Sequence, residues 1–126
     1  MATELFSLVP AVAGESLRVR AQKLAEPGEK SRELAFHQAL ISYIDNRYLE
    51  KVYQQFLDGY IAYVILYLKE DNQESAQILS ALMDAISQGD RDDIAQETQR
   101  YFLSLAEMMR QHMKDWESAE ASIREN

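Results

Sequence analysis

Glu33 and His37 are the residues whose types and spacing first point to chemistry. They lie four positions apart, so on a helix both side chains would project from one face. A carboxylate and an imidazole at this spacing can supply two ligands to a divalent cation, but a site needs at least one or two more. The alternative is that His37 is a core residue, hydrogen-bonded within the protein interior.

A stripe of aromatic residues is the second candidate. Its members recur at intervals of three and four, as on one face of a helix: Tyr53, Phe56, Tyr60, Tyr63 and Tyr67. Tyrosine hydroxyls at such positions can line a pocket for a polar ligand. Aromatic residues at helical spacing also build cores and dimer interfaces, and the pattern leaves these alternatives open.

The remaining polar residues do not form a recognisable catalytic motif. His112 lies with Met108, Met109 and Trp116 on the apolar side of a predicted helix, which favours packing or an interface. The sequence has no Gly-rich phosphate loop, nucleophile elbow or paired-His metalloprotease helix. Its lack of Cys removes thiol nucleophiles, disulfides and zinc-thiolate sites. We therefore predict that the chain is not an enzyme and needs no cofactor.

The charge and hydropathy of the chain exclude two further classes. A formal charge of −8 disfavours direct contact with nucleic acid, because that binding depends on Lys and Arg displacing counterions. The most apolar run, residues 60–68, is about half the ~20 residues needed to span a bilayer. The first ten residues do not resemble a secretion signal. These features predict a cytoplasmic protein without membrane contact.

Helices must position all of these residues. With 126 residues, 47% of them apolar, and only 4 Gly and 2 Pro, the chain has the size and composition of one all-α domain. Apolar periodicity predicts helices at about 16–25, 29–45, 47–70 and 72–88, and a fifth after Asp90. Asp71 with Glu74 fits a capping box, Gly89 a helix-ending glycine, and Asp90 an N-cap. We predict a bundle of about five helices over residues 29–117, preceded by a segment at 1–28 with one short helix and followed by a frayed tail at 118–126.

Three short motifs between Glu33 and Met113 resemble a known family. They are Phe36-His37-Gln38-Ala39-Leu40, Asn46-Arg47-Tyr48-Leu49, and Ala85-Ile86 with Gly89-Asp90 and Ala95. In order and separation they are similar to segments of the C-terminal effector-binding domain of GntR-family transcription regulators of the FadR type. The resemblance implies an antiparallel helical bundle around a cavity for a small metabolite, and a homodimer. The family's winged-helix DNA-binding domain has no counterpart in these 126 residues, and residues 1–28 match the family poorly.

The resemblance also implies a divalent metal held by one Asp and three His, and this sequence departs from that set. Glu33 would replace the Asp and His37 would be the first His, whereas the other two positions fall near Leu79 and Tyr101. Only a half-site remnant, Glu33 and His37, is left, so we expect no metal.

Two functional hypotheses follow. In the first, the domain senses a small organic ligand, with carboxylic acids among the candidates, and the ligand-binding residues are His37, Tyr60, Tyr63 and Tyr101 around one cavity. In the second, the chain is a stand-alone dimerisation or adaptor protein without a small ligand, and a flat apolar face is exposed instead.

Overall fold

The computed structural model describes residues 5–26, 31–69 and 73–125, with side chains described as far as residue 121. Within these ranges the chain forms five helices and no strands, which confirms the prediction of an all-α bundle. The helices are α1 (Ala11–Lys23), α2 (Ser31–Ile41), α3 (Arg47–Phe56), α4 (Gln73–Gln88) and α5 (Arg91–Glu125). Two π-helical segments, Leu57–Ile61 and Val64–Leu68, continue α3. None of the described helices has the length and hydropathy to cross a membrane.

The α3 helix and its π-helical continuation carry one line of buried residues at a constant spacing of four. Its members are Tyr53, Leu57, Ile61, Ile65 and Lys69, none more than 3% exposed. In a regular α-helix a spacing of four advances by about 40° each time, or about 160° from the first member to the last. The wider π-helical turns offset that drift. Tyr53 and Lys69 therefore both reach the core, although sixteen positions separate them.

The turn between α4 and α5 has the chemistry that the sequence predicts. Gly89 adopts a φ of +69°, a left-handed conformation that L side chains rarely accept. Asp90 Oδ1 accepts a hydrogen bond from the Asp93 backbone N–H at 3.2 Å, which caps the first turn of α5. The predicted capping box at Asp71 lies outside the described residues.

Helix boundaries differ from the sequence expectations at three places. α1 begins at Ala11 rather than near residue 16, because Pro10 precedes its first turn and Ala13 N–H bonds to the Pro10 carbonyl at 2.9 Å. α2 ends at Ile41, followed by a tight turn in which Ile44 N–H bonds to the Ile41 carbonyl. α5 continues to Glu125, through most of the segment expected to fray.

Gly14 sets how closely α1 packs against α4. A Cβ added there would lie 2.7 Å from the Met83 carbonyl oxygen and 2.7 Å from the Ser87 backbone nitrogen. Both atoms belong to the α4 backbone, so neither can move without shifting the helix. The contact places the buried α1 residues Ala13, Leu17 and Ala21 against the core.

Gly14→Ala should therefore lower the free energy of unfolding by about 1–3 kcal/mol, because the methyl group forces α1 away from α4. Gly59→Ala is the matched control, since a Cβ there meets nothing within 4 Å. It should leave stability unchanged or raise it by up to about 1 kcal/mol. Urea unfolding followed by circular dichroism measures both, and equal effects of the two substitutions would contradict the packing argument.

Candidate functional site

Glu33 and His37 occupy one turn of α2 and both face the interior. Each is 0% exposed, although most of the neighbouring buried residues on α2, such as Phe36, Leu40 and Ile41, are apolar. A buried carboxylate is costly unless it is paired and hydrogen-bonded. The other helices supply the groups that meet this requirement.

Two tyrosine hydroxyls from other helices hold the His37 ring at its two nitrogens. Tyr101 of α5 lies 2.6 Å from Nε2, and Tyr53 of α3 lies 3.2 Å from Nδ1. The Tyr101 hydroxyl donates its single proton to Glu33 Oε2 at 2.5 Å. His37 Nε2 must therefore carry the hydrogen and donate to Tyr101, which leaves Nδ1 to accept from Tyr53. The hydrogen bonds form one directed chain from Tyr53 through His37 and Tyr101 to Glu33.

Lys69 closes the chain at its carboxylate end. Its ammonium lies 2.8 Å from both Oε1 and Oε2 of Glu33 and also donates to Ser75 Oγ in the first turn of α4. The same nitrogen lies 5.7 Å from the centre of the Tyr101 ring, within the range of a cation–π contact. We call Glu33, His37, Tyr53, Lys69, Ser75 and Tyr101 the polar cluster. It joins α2, α3 with its continuation, α4 and α5.

Burial keeps the cluster's imidazole and phenols uncharged. Desolvation lowers the pKa of His37 to about 4, against the opposing attraction of Glu33 and with a smaller contribution from Lys69. Burial, reinforced by the Glu33 carboxylate, raises the pKa values of Tyr53 and Tyr101 far above the ordinary phenol range. Within the described residues the cluster therefore holds one anion and one cation in contact, with neutral donors and acceptors around them.

Thr98 is a buried polar residue next to this cluster on α5. It lies one turn before Tyr101, on the same side of the helix, and is 2% exposed. Its Oγ1 has no hydrogen-bond partner among the residues that the structure describes. An unsatisfied buried hydroxyl costs about 1–3 kcal/mol, and a bound molecule can remove that cost.

The four predicted ligand-binding residues do not lie together. His37 and Tyr101 are in direct contact. Tyr60 is half-buried and stacks on Phe56, with ring centres 5.3 Å apart. Tyr63 is 40% exposed, and its hydroxyl lies 3.3 Å from His112 Nε2 on α5. The expectation of one cavity lined by all four therefore does not match the geometry, because the aromatic stripe leaves the core as α3 continues.

Sequence reasoning missed Lys69, Ser75 and the orphan hydroxyl of Thr98, and it assigned Tyr53 only to a stripe. One signal was present: Lys69 continues the buried series formed by Ile61 and Ile65 at the same spacing of four. A Lys in line with core residues requires a buried acid, and Glu33 was the available acid on an apolar helix face.

Two described pockets lie apart from the polar cluster. One, of about 250 Å³, lies between α1 and α2 and includes Arg20, Lys23 and Arg32 in its lining. The other, of about 270 Å³, includes Glu74, Glu107 and Met108. Neither is lined by a residue of the cluster, and every side chain of the cluster is buried.

Comparison with protein families decides which fold family this arrangement belongs to. Residues 15–115, more than three quarters of the chain, match the FCD domain. The chain belongs to the FCD domain family. FCD domains are the C-terminal effector-binding domains of GntR-family transcription regulators, as the three sequence motifs predicted. The match includes the whole polar cluster and also residues 15–28, part of the segment that the sequence motifs matched poorly to the family. Comparison with curated proteins and with solved structures gave no match.

The residues of this FCD domain do not fit the divalent metal that the family resemblance implies. The Lys69 ammonium already contacts both oxygens of Glu33, and Leu79, near a position expected for His, is a buried apolar residue. Tyr101, at the other position, donates its proton to Glu33. Among the described residues no three His, Cys, Asp or Glu side chains are grouped as metal ligands.

The buried neutral His37 should make stability depend on pH. Its pKa is about 4 in the folded protein and near 6.5 when unfolded, so the unfolded state binds more protons between these values. This contribution is full above pH 6.5 and is lost as pH falls toward 4, by about 3 kcal/mol in total. In urea unfolding at a series of pH values, His37→Gln should flatten the decline over this range. The exposed His112→Gln is the matched control, and an unchanged slope in His37→Gln would contradict a buried neutral ring.

Proposed function

We propose that this FCD domain senses a small polar organic molecule at the polar cluster and transmits binding through a homodimer. It acts as a regulatory domain of a cytoplasmic transcription regulator and carries out no catalysis. The observation that supports this most directly is the buried chain of hydrogen bonds linking Tyr53, His37, Tyr101 and Glu33, with Thr98 unsatisfied beside it. The family match supplies the regulatory setting.

The energetics of the interior favour this proposal over a purely structural bundle. Replacing a buried ion pair with apolar side chains of similar volume is often neutral or stabilising. A domain that only dimerises would gain little stability from burying Glu33 and Lys69 together with an imidazole. A small-molecule site, in contrast, needs hydrogen-bond donors and acceptors that can change partners in order to orient its ligand.

The Tyr53–His37 contact is the point where a ligand can most readily enter the chain. At 3.2 Å it is the longest bond of the cluster, whereas the Tyr101 contacts are 2.6 and 2.5 Å. A ligand hydroxyl or amide N–H can replace the Tyr53 hydroxyl as donor to His37 Nδ1. The Thr98 hydroxyl, one turn from Tyr101, is a second available partner. Binding then requires Tyr53 to move.

The charge balance of the cluster bears on the class of ligand. The sequence resemblance puts carboxylic acids among the candidates, and Lys69 offers a buried positive charge. Glu33 already offsets that charge through two contacts of 2.8 Å. An uncharged ligand with a donor group needs no further counter-charge. A screen should therefore pair each small hydroxy or oxo acid with its amide, so that the preferred member of each pair identifies the class.

The affinity for a ligand found by thermal shift should depend on His37, and the Tyr53 hydroxyl should compete with the ligand for this residue. His37→Gln should weaken its binding by about tenfold, the value of one or two lost hydrogen bonds. Tyr53→Phe should leave affinity unchanged or raise it by up to about tenfold, because the competing donor is gone. Isothermal titration calorimetry measures both effects. Tyr60→Phe, which removes a hydroxyl outside the cluster, is the matched control.

If Tyr60→Phe weakens ligand binding and His37→Gln does not, the ligand binds elsewhere, and this result would contradict the proposed site. If no compound of the screen raises the melting temperature, the sensing proposal fails. The dimerisation or adaptor hypothesis would then replace it.

An exposed aromatic surface is the proposed dimer contact. It consists of Phe56, Tyr60, Tyr63, Tyr67, His112 and Trp116. Ring contacts connect Phe56 to Tyr60 at 5.3 Å, Tyr63 to Tyr67 at 5.5 Å and Tyr63 to His112 at 6.1 Å. Tyr67 is 74% and Trp116 62% exposed. Large exposed apolar patches mark interaction sites, and FCD domains typically dimerise, so a second copy of the chain is the expected partner.

The wild-type chain should sediment as a dimer at micromolar concentration. Tyr67→Glu, which puts a charge on the aromatic surface, should shift the protein toward the monomer. Val12→Glu, at a position of similar exposure on α1, should not. Trp116 is the only tryptophan, so acrylamide quenching of its fluorescence reports on the same surface. Quenching should increase on dilution. A monomer at all concentrations, or dissociation by Val12→Glu alone, would contradict this interface.

A further inference from the structure

We propose that the Lys69 ammonium is the built-in cation of the polar cluster and takes the place of a divalent metal beside Glu33 and His37. Lys69 would neutralise the buried carboxylate in this way whether or not the domain senses a ligand, so no effector is needed to test its role.

The contacts of Lys69 resemble those of a bound cation. Its nitrogen lies 2.8 Å from each of the two oxygens of Glu33, so the contact with the carboxylate is bidentate. Ser75 Oγ provides another oxygen, and the Tyr101 ring faces the ammonium at 5.7 Å. The Lys69 and Glu33 side chains are 1% and 0% exposed. A positive charge is thus enclosed by oxygen ligands and a π face, as a metal would be by its ligands.

The backbone conformation at the end of the helix positions the Lys69 side chain in the core. The helix ends at Leu68, and Lys69, which follows it, adopts an extended conformation with ψ of 141°. The Lys69 N–H still bonds to the Val64 carbonyl at 3.0 Å, in the wide turn of a π-helix. This wide turn keeps Lys69 in line with Ile65 and Ile61 on the buried side.

An ammonium at this place excludes a dication from the same carboxylate. The two positive charges would lie side by side in a medium where repulsion is weakly screened. His37 Nε2 also donates its hydrogen to Tyr101, so that nitrogen is not available as a ligand while the chain of hydrogen bonds is intact. Removal of Lys69 should therefore leave the Glu33 carboxylate, the Ser75 hydroxyl and, once Tyr101 releases Nε2, the His37 imidazole as three ligands for a metal, with water completing the site.

The test compares wild-type protein with Lys69→Ala, using Zn²⁺ as the probe. Wild-type melting curves should coincide with and without chelator, and added Zn²⁺ should cause no His37-dependent stabilisation. Lys69→Ala should lower the melting temperature on the order of 10 °C, because Glu33 loses its buried partner. The variant should then bind one equivalent of Zn²⁺ by calorimetry and recover stability. The double variant Lys69→Ala/His37→Ala is the matched control and should show neither effect.

A second comparison separates charge from packing. Glu33→Gln/Lys69→Met removes both charges at similar volume and should be markedly more stable than Lys69→Met alone. If Lys69→Ala does not fold without metal, refolding in Zn²⁺ replaces the melt, and recovery of helical circular dichroism supports the proposal. Failure of Zn²⁺ to bind or rescue Lys69→Ala would overturn it, as would His37-dependent Zn²⁺ binding by the wild type. Loss of ligand binding with these results intact would instead affect only the proposed sensing function.

Discussion

The buried ion pair between Glu33 and Lys69 is the constraint on which the rest of the interior depends. A carboxylate at 0% exposure must be paired, and the pairing brings α2 against the end of the helix that continues α3. The second oxygen of Glu33 orients Tyr101, and Tyr101 in turn sets the tautomer of His37. Four helices thus meet at one centre that pairs a buried carboxylate with a buried ammonium, which specifies their relative positions more narrowly than apolar packing does.

The fold was predictable from the sequence to a greater extent than the site. Helix periodicity and the Gly89-Asp90 break depend on neighbours within a few residues, and the structure reproduces them. His37 and Tyr101 also emerged from sequence reasoning, because the family resemblance placed both near one centre. Lys69 did not emerge, since its partner Glu33 is 36 positions away, and the local spacing that aligns Lys69 with Ile61 and Ile65 does not identify that partner.

The misplaced tyrosines have a physical explanation in the π-helical segments. Intervals of three and four would keep Tyr53, Tyr60 and Tyr63 on one face of a regular α-helix. The wide turns at Leu57–Ile61 and Val64–Leu68 change the rotation per residue. Residues spaced four apart, rather than alternately three and four apart, therefore lie on the buried side. Tyr53 belongs to both series and stays inside, whereas Tyr63 and Tyr67 turn outward. Neither side-chain hydropathy nor helix propensity distinguishes a regular α-helix from one that contains π-helical turns.

The same helix therefore presents the polar cluster on one side and the aromatic surface on the other. Tyr53 begins the inner line and Lys69 ends it, while Phe56, Tyr60, Tyr63 and Tyr67 lie on the outer side between them. π-helical turns are frequent at functional sites. If a ligand displaces Tyr53 from His37, the inner line must readjust, and the outer residues move with the same backbone. In that case a single helix would couple the proposed ligand site in the core to the proposed contact between subunits, provided that the ligand favours one conformation of this helix over another.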